Sequence, residues 1–312
     1  MAFNSRSTAF LFPGQGSQEV GMGQELAARH PAAAEIFAQA DEILGFPLSS
    51  LCWEGPAEQL NSTINTQPAI LVHSIAALRA LRPPSLPAAA AGHSVGEYSA
   101  LVCSGSISFE HALKLVRARG EAMETAGESS PGRMAAVLGL DPETVEKVCS
   151  EIQDTTGEVV QLANDNCPGQ LVISGSEAGM EVATGRLKEA GARRVIPLAI
   201  SIAAHSSLME PAQAQLNAAI DATPIEPPAI PVFANVSARP LSAVSEIREE
   251  LEAQLTSRVR WTETIEAMRA RGIDTFIELG PKAVLTKLCT RIVRDAKAFA
   301  VGDPTSLKGL PV

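Results

Sequence analysis

The segment Ala88–Leu101, AAAAGHSVGEYSAL, constrains the fold more than any other stretch, because Gly92 to Gly96 form a G-x-S-x-G pattern. This pattern is typical of a sharp turn between a strand and a helix, which holds the serine in strained backbone and exposes its hydroxyl. The apolar run before Ser94 predicts a buried strand, and Val95 to Cys103 predict a helix. Ser94 is therefore a candidate nucleophile, although an ordinary glycine-rich turn would also fit the pattern alone.

Composition limits the kinds of protein this chain can be. Its 312 residues predict about two structural units, and a hydrophobic content of 46% is enough for a sizeable core. The net charge of −10 argues against nucleic acid as the main partner. Five widely spaced cysteines without a C-x-x-C pair indicate reduced thiols and no metal site. Without an apolar run of about 20 residues, we expect no membrane association and a cytoplasmic location.

A change of pattern near Gly132 predicts an inserted subdomain. Residues 132–198 read as strand, helix, strand, strand, helix and strand, which is the ferredoxin-like β-α-β-β-α-β order. Elements of a larger α/β unit flank this insertion on both sides, so residues 1–131 and 199–312 are predicted to form one subdomain. The tail after Ala298 contains Pro304, Gly309 and Pro311 and is predicted to be loose.

Arg119 stands out in the helix predicted for Phe109–Ala126. It shares one helical face with Ala112, Val116 and Met123, so the guanidinium is expected among apolar side chains. Arg117 points elsewhere. A buried cation needs an anion. Two possibilities follow: a carboxylate of the protein pairs with Arg119 for structural reasons, or the guanidinium binds the carboxylate of a substrate through two parallel hydrogen bonds.

A serine nucleophile needs a base and an oxyanion hole. Of the five histidines, His205 is the best candidate base, because it ends an apolar segment and begins a helix. The N–H of Val95 is one natural oxyanion donor. The glycine-flanked turn at Gln15 offers another donor, and a dinucleotide-binding loop is less favoured there because Glu19 replaces the third glycine. No convincing acid is found to orient the base.

Several motifs occur in an order and spacing that resemble a known family. They are FPGQGSQ near the N-terminus, TQPA at Thr66–Ala69, GHSVGEYSAL, Arg119, NDNCPGQLVISG, His205 before SSLM, and ELGP at Glu278–Pro281. Together they resemble the malonyl-CoA:acyl carrier protein transacylases of fatty acid synthesis, over roughly residues 7–296. The combination is far more specific than any one motif.

The resemblance implies a fold, a reaction and a set of roles. The fold would be an α/β-hydrolase-like large subdomain with the ferredoxin-like insertion. In a ping-pong reaction, Ser94 activated by His205 would take the malonyl group from malonyl-CoA and pass it to the phosphopantetheine of acyl carrier protein. The remaining implied roles are oxyanion donors at Gln15 and Val95, carboxylate binding by Arg119, orientation of His205 by the main-chain carbonyl of Gln254, and pocket lining by Gln67, Asn164 and Asn166.

The resemblance also implies no bound cofactor or metal, and a monomer is expected. Two alternatives stay open: a broader extender unit such as methylmalonyl in polyketide synthesis, and a serine esterase or thioesterase with the same turn. Ala204 favours the first alternative, because many relatives carry a larger Phe, or a Ser, at this position. Between Leu255 and Lys297 there are nine basic and five acidic residues, a balance that would attract an acidic carrier protein.

Overall fold

The computed structural model describes residues 4–310 and shows a mixed α/β protein with two sheets. The first sheet is mostly parallel and has the strand order β10-β9-β1-β2-β7-β8. Only β7 and β8 pair antiparallel in it. Its strands are β1 (Thr8–Phe12), β2 (Ala89–Gly92), β7 (Val232–Phe233), β8 (Pro240–Leu241), β9 (Thr275–Leu279) and β10 (Lys297–Val301).

Burial on both faces explains why the central strands are apolar throughout. All five residues of β1 are buried. Phe10 and Phe12 pack into one apolar cluster, whereas Ala9 and Leu11 pack into a second cluster on the opposite face. This alternation is the one expected of a parallel strand covered by helices on both sides. The parallel pairing of β1 with β2 sets Phe12 opposite Gly92, so the carboxyl ends of the two strands lie side by side.

The helices that accompany the parallel sheet come from both ends of the chain. They are α1 (Gln24–Arg29), α2 (Pro31–Leu44), α3 (Leu48–Glu54), α4 (Ala57–Asn61), α5 (Thr63–Leu81), α6 (Gly96–Cys103), α7 (Phe109–Ser129), α10 (Glu210–Ala222), α11 (Val244–Ala253), α12 (Trp261–Ala270), α13 (Val284–Ile292) and α14 (Pro304–Lys308). Two single 3₁₀ turns, Ser207–Met209 and Gln254–Thr256, follow His205 and α11.

Residues 132–197 contain the second sheet, which is antiparallel and has the order β4-β5-β3-β6. The elements are β3 (Gly132–Leu138), α8 (Pro142–Thr156), β4 (Val160–Cys167), β5 (Gln170–Ser176), α9 (Glu177–Glu189) and β6 (Arg194–Pro197). The predicted order of strands and helices is therefore confirmed. The apolar cluster of this region joins its sheet to α8 and α9.

The loose tail predicted after Ala298 is wrong. Lys297–Val301 forms β10, which pairs in parallel with β9 at the edge of the first sheet. Asp303 then caps α14 by accepting from the backbone N–H groups of Thr305 and Ser306. Pro304 occupies the first turn of that helix, where a proline costs no hydrogen bond. Pro304 thus begins a short helix and Gly309 ends it, while Pro311 lies outside the described residues.

Candidate active site

The nucleophile turn connects β2 to α6 and places Ser94 in left-handed backbone, with φ of 52°. Both flanking glycines are required by close backbone contacts. A Cβ on Gly92 would lie 1.9 Å from the carbonyl carbon of Gly96, and a Cβ on Gly96 would lie 2.1 Å from the Phe12 carbonyl oxygen. The strained turn is therefore packed directly against the end of β1.

Asn235, at the carboxyl side of β7, holds this turn with its side-chain amide. Its Oδ1 accepts from the Ser94 N–H at 2.7 Å, and its Nδ2 donates to the Gly92 carbonyl at 2.7 Å. One buried side chain thus bonds to the backbone at the serine and two residues before it.

His205 lies beside Ser94, as the sequence predicts. The Ser94 Oγ to His205 Nε2 distance is 2.8 Å. His205 Nδ1 lies 2.9 Å from the Gln254 carbonyl and 3.0 Å from the Ser257 carbonyl. Carbonyl oxygens only accept hydrogen bonds, so they assign the proton to Nδ1 and leave Nε2 as an acceptor for the serine hydroxyl.

The surroundings of His205 keep the ring neutral. It is 3% exposed, and burial, followed by the positive charge of Arg119, lowers its pKa to about 3. The Gln254 carbonyl opposes this shift without reversing it. At neutral pH the ring can therefore accept a proton from Ser94.

Two backbone N–H groups beside the serine lack hydrogen-bond partners among residues 4–310: those of Gln15 and Val95. They belong to the two turns at the carboxyl ends of β1 and β2. These turns touch, because a Cβ on Gly14 would lie 2.5 Å from the His93 carbonyl oxygen. The Gln15 side chain donates to Thr63 Oγ1 at 3.2 Å, which anchors its turn to the start of α5.

Arg119 of α7 reaches the same serine. It is 1% exposed, as its place in an apolar stripe predicts. Its Nη2 donates to Ser94 Oγ at 3.1 Å and to Gln254 Oε1 at 3.0 Å, and its guanidinium carbon lies 5.8 Å from the centre of the Tyr98 ring. Arg119 forms no ion pair within the described part of the chain, and its buried Nε has no hydrogen-bond partner. Arg117, by contrast, pairs with Glu121 at the surface.

The three other predicted pocket residues differ in how they contact the residues around Ser94. Gln67 donates to the sulfur of Met123 at 3.0 Å, and Arg119 Nη1 contacts the same sulfur at 3.5 Å. Asn166 Oδ1 lies 2.8 Å from His93 Nε2, so it contacts the residue beside the serine. Asn164 is 5% exposed and forms a backbone bridge with Val259, but its side chain makes no hydrogen bond to the Ser94 group among the residues described.

Sequence reasoning missed the polar residues behind the serine. Glu97 is fully buried, accepts from the Asn235 backbone N–H at 3.1 Å, and contacts the Gln254 side chain. Burial and the nearby Glu250 raise the pKa of Glu97, and burial raises the pKa of Glu250 to about 7. A signal for Glu97 was present, because it directly follows the Gly92–Gly96 turn after a strand predicted to be buried, and Glu is rarely fully buried without partners.

A groove of about 360 Å³ has His205 among its lining residues. Its other walls come from α8, from β4 and from the segment that contains Thr256, Arg258 and Arg260. Arg258 lines the groove and forms ion pairs with Glu146 of α8 and Glu263 of α12.

Comparison with known proteins places this chain in one family. The acyl transferase domain family matches residues 9–303. The malonyl CoA-acyl carrier protein transacylase of Bacillus subtilis (strain 168) is 48% identical over 301 residues, covering 96% of this chain and 95% of the relative. The Escherichia coli (strain K12) protein of the same name is 43% identical over 301 residues, covering 96% and 97%.

Solved structures agree. An acyl carrier protein S-malonyltransferase from Vibrio cholerae is 44% identical, with a TM-score of 0.93, and the match covers 97% of this chain and 99% of that one. A malonyl-transacylase in complex with its type II PKS acyl-carrier protein has a TM-score of 0.93 at 42% identity, covering 96% and 97%. The chain belongs to the malonyl-CoA–acyl carrier protein transacylase family.

Proposed function

We propose that this protein moves a malonyl group from malonyl-CoA to the phosphopantetheine thiol of an acyl carrier protein. The observation that carries the proposal is the position of Ser94 Oγ, 2.8 Å from a neutral imidazole and 3.1 Å from a buried guanidinium. The imidazole supplies a base for the serine. The guanidinium supplies a site for an acyl group that ends in a carboxylate.

In the first half-reaction, His205 Nε2 takes the Ser94 hydroxyl proton while Oγ attacks the thioester carbonyl carbon. The N–H groups of Gln15 and Val95 stabilise the negative oxygen of the tetrahedral intermediate. The carbon–sulfur bond then breaks, His205 returns its proton to the CoA sulfur, and a malonyl-Ser94 ester remains.

The second half-reaction runs the same steps with the carrier thiol. His205 removes the thiol proton, the sulfur attacks the ester carbonyl carbon, and the bond to Ser94 Oγ breaks. Oγ regains its proton from His205. The Gln254 and Ser257 carbonyls keep the ring oriented through both cycles, since each lies within 3.0 Å of Nδ1.

The malonyl carboxylate would bind Arg119, whose charge lacks an ion-pair partner in the described structure, with Gln67 beside it. Asn166, next to His93, and Asn164 would contact the rest of the bound substrate. The main alternative is hydrolysis of a neutral ester. A buried guanidinium beside the nucleophile argues against that reading, because a neutral acyl group would leave its charge uncompensated.

The proposal extends to the two subdomains of the chain. Residues 1–131 and 199–312 would form an α/β-hydrolase-like subdomain, and residues 132–198 a ferredoxin-like one, which the β4-β5-β3-β6 order supports.

Acyl carrier protein would dock on exposed basic side chains that form no ion pair in the described chain, such as Lys287, Arg294 and Lys297. We further propose a monomer acting in the cytoplasm, where five buried free cysteines would stay reduced.

The test is intact mass after mixing with malonyl-CoA alone. A malonyl adduct should form on the wild-type protein and be absent from Ser94→Ala, and only a phosphopantetheinylated carrier protein should discharge it. Arg119→Ala should lose malonyl adduct and keep acetyl adduct from acetyl-CoA. No adduct on folded wild-type protein would contradict the proposal. Competition with methylmalonyl-CoA shows whether Ala204 admits a branched acyl group.

A further inference from the structure

The Gln254 side chain connects the two charged groups buried near Ser94. Its Oε1 accepts from Arg119 Nη2 at 3.0 Å, while its Nε2 donates to the Glu97 carboxylate and to the Ser94 carbonyl at 3.2 Å. Glu97 and Gln254 are fully buried, and Arg119 is 1% exposed. The guanidinium thus meets a carboxylate only through one amide group.

An amide can face either way, and here its three neighbours favour the same orientation. Turning the Gln254 amide over would set its NH₂ against the Arg119 guanidinium and its oxygen against both the Ser94 carbonyl and the Glu97 carboxylate, so all three hydrogen bonds would be lost. The carboxylate is itself fixed, because its other oxygen accepts from the Asn235 backbone N–H at 3.1 Å. Glu97 and the Ser94 carbonyl therefore together keep the amide oxygen toward Arg119.

This arrangement also suits an arginine that must receive a substrate anion. A direct Glu97–Arg119 ion pair would occupy the guanidinium edge, whereas the intervening amide leaves the charge without an adjacent anion. Burial lowers the pKa of Arg119, and the nearby Tyr98 and Glu97 oppose this shift. The guanidinium is then held toward Ser94 Oγ and open to a carboxylate on the acyl group.

We propose that Glu97 is a positioning residue for acyl-group selectivity: together with the Ser94 carbonyl it fixes the orientation of the Gln254 amide and so holds Arg119 in the pose that binds the acyl carboxylate. The inference rests on the proposed malonyl transfer. It differs from a general role in folding, because it concerns the preference for malonyl over acetyl and not the total rate.

The test compares Glu97→Gln with Glu250→Gln. Glu250 belongs to the same buried acidic pair and is 6% exposed, but its carboxylate accepts from the Val236 backbone and does not contact Gln254. The measurement is kcat/KM for malonyl-CoA and for acetyl-CoA on each protein. Glu97→Gln should lower the malonyl-to-acetyl ratio about tenfold, mainly through KM for malonyl-CoA, which corresponds to about 1.4 kcal/mol of discrimination. Glu250→Gln should leave the ratio within about twofold of wild type.

A second variant guards against a folding defect. Gln254→Met keeps the main-chain carbonyl and most of the side-chain volume but removes all three amide contacts, so it should lower the same ratio at least as much. In Glu97→Gln/Gln254→Met the ratio should fall no further than in Gln254→Met alone, because both changes break one connection.

Equal losses with both CoA esters in Glu97→Gln, or an unchanged ratio in that variant, would overturn the inference. So would an equal fall of the ratio in Glu250→Gln. If the wild-type protein formed no malonyl adduct at all, the proposed function would fail instead, and that result is seen before any variant is made.

Discussion

The two sheet regions differ in the charged side chains that they bury and in the number of non-glycine residues with positive φ that they contain. At the carboxyl ends of β1 and β2, the parallel region buries Glu97, Arg119 and His205 in one hydrogen-bonded group. The cluster between the antiparallel sheet and its two helices is apolar. All the non-glycine residues with positive φ that the described chain contains, Ser94 and His205 among them, lie outside residues 132–198. The strained residues thus include the proposed nucleophile and base, whereas residues 132–198 have no non-glycine residue in left-handed backbone.

Matched glycine substitutions should give the largest difference between the regions. Gly92→Ala places a Cβ 1.9 Å from backbone, whereas Gly185 is exposed in α9 with open space around its Cβ position. We expect Gly92→Ala to lower the free energy of unfolding by about 3 kcal/mol or more, because backbone must move. Gly185→Ala should raise it by about 0.5–1 kcal/mol through helix propensity.

Urea unfolding of both variants measures this contrast. Transfer activity should be lost in Gly92→Ala and unchanged in Gly185→Ala. A tolerated Gly92→Ala, with wild-type stability and activity, would show that the nucleophile turn is not constrained by its contact with Gly96.

The pH dependence of transfer should show a second, smaller effect of burial in the parallel region. Burial and Arg119 lower the pKa of His205 to about 3, and the base is active only when neutral. Activity should therefore persist below the usual histidine range and decline only as the pH falls toward 3. At pH 5.5, kcat/KM for malonyl-CoA should stay within about twofold of its value at pH 7.5, whereas an unshifted pKa near 6.5 would cost about tenfold.

Circular dichroism at each pH separates loss of the base from loss of the fold. A decline in kcat/KM centred near pH 6.5 in folded protein would mean that His205 is hydrated in the free enzyme, contrary to its 3% exposure.

The same contrast explains what the sequence could predict. Regular periodicity was enough to predict the order of strands and helices in residues 132–198, because its core alternates simply between apolar and polar positions. Arg119 was found from helical spacing, and His205 from its place at the end of an apolar segment. Glu97 and Asn235 were missed, because their partners are 157 and 141 residues away in the chain. β10 was missed because its pairing with β9 does not show in its own residues.

An exposed ion pair in the antiparallel region should give the smallest effect. Arg133 of β3 pairs with Glu177 at 2.8 Å, but the two side chains are 63% and 55% exposed. Water and salt screen such a pair, and ordering two long side chains offsets most of the attraction. Arg133→Ala should lower the free energy of unfolding by no more than about 0.5 kcal/mol, and this difference should shrink in 1 M salt. Thermal unfolding at low and high salt, with Glu177→Ala as the matched variant, measures it. A loss above about 2 kcal/mol would show that this region too depends on charge, and the contrast between the two sheets would then be one of degree.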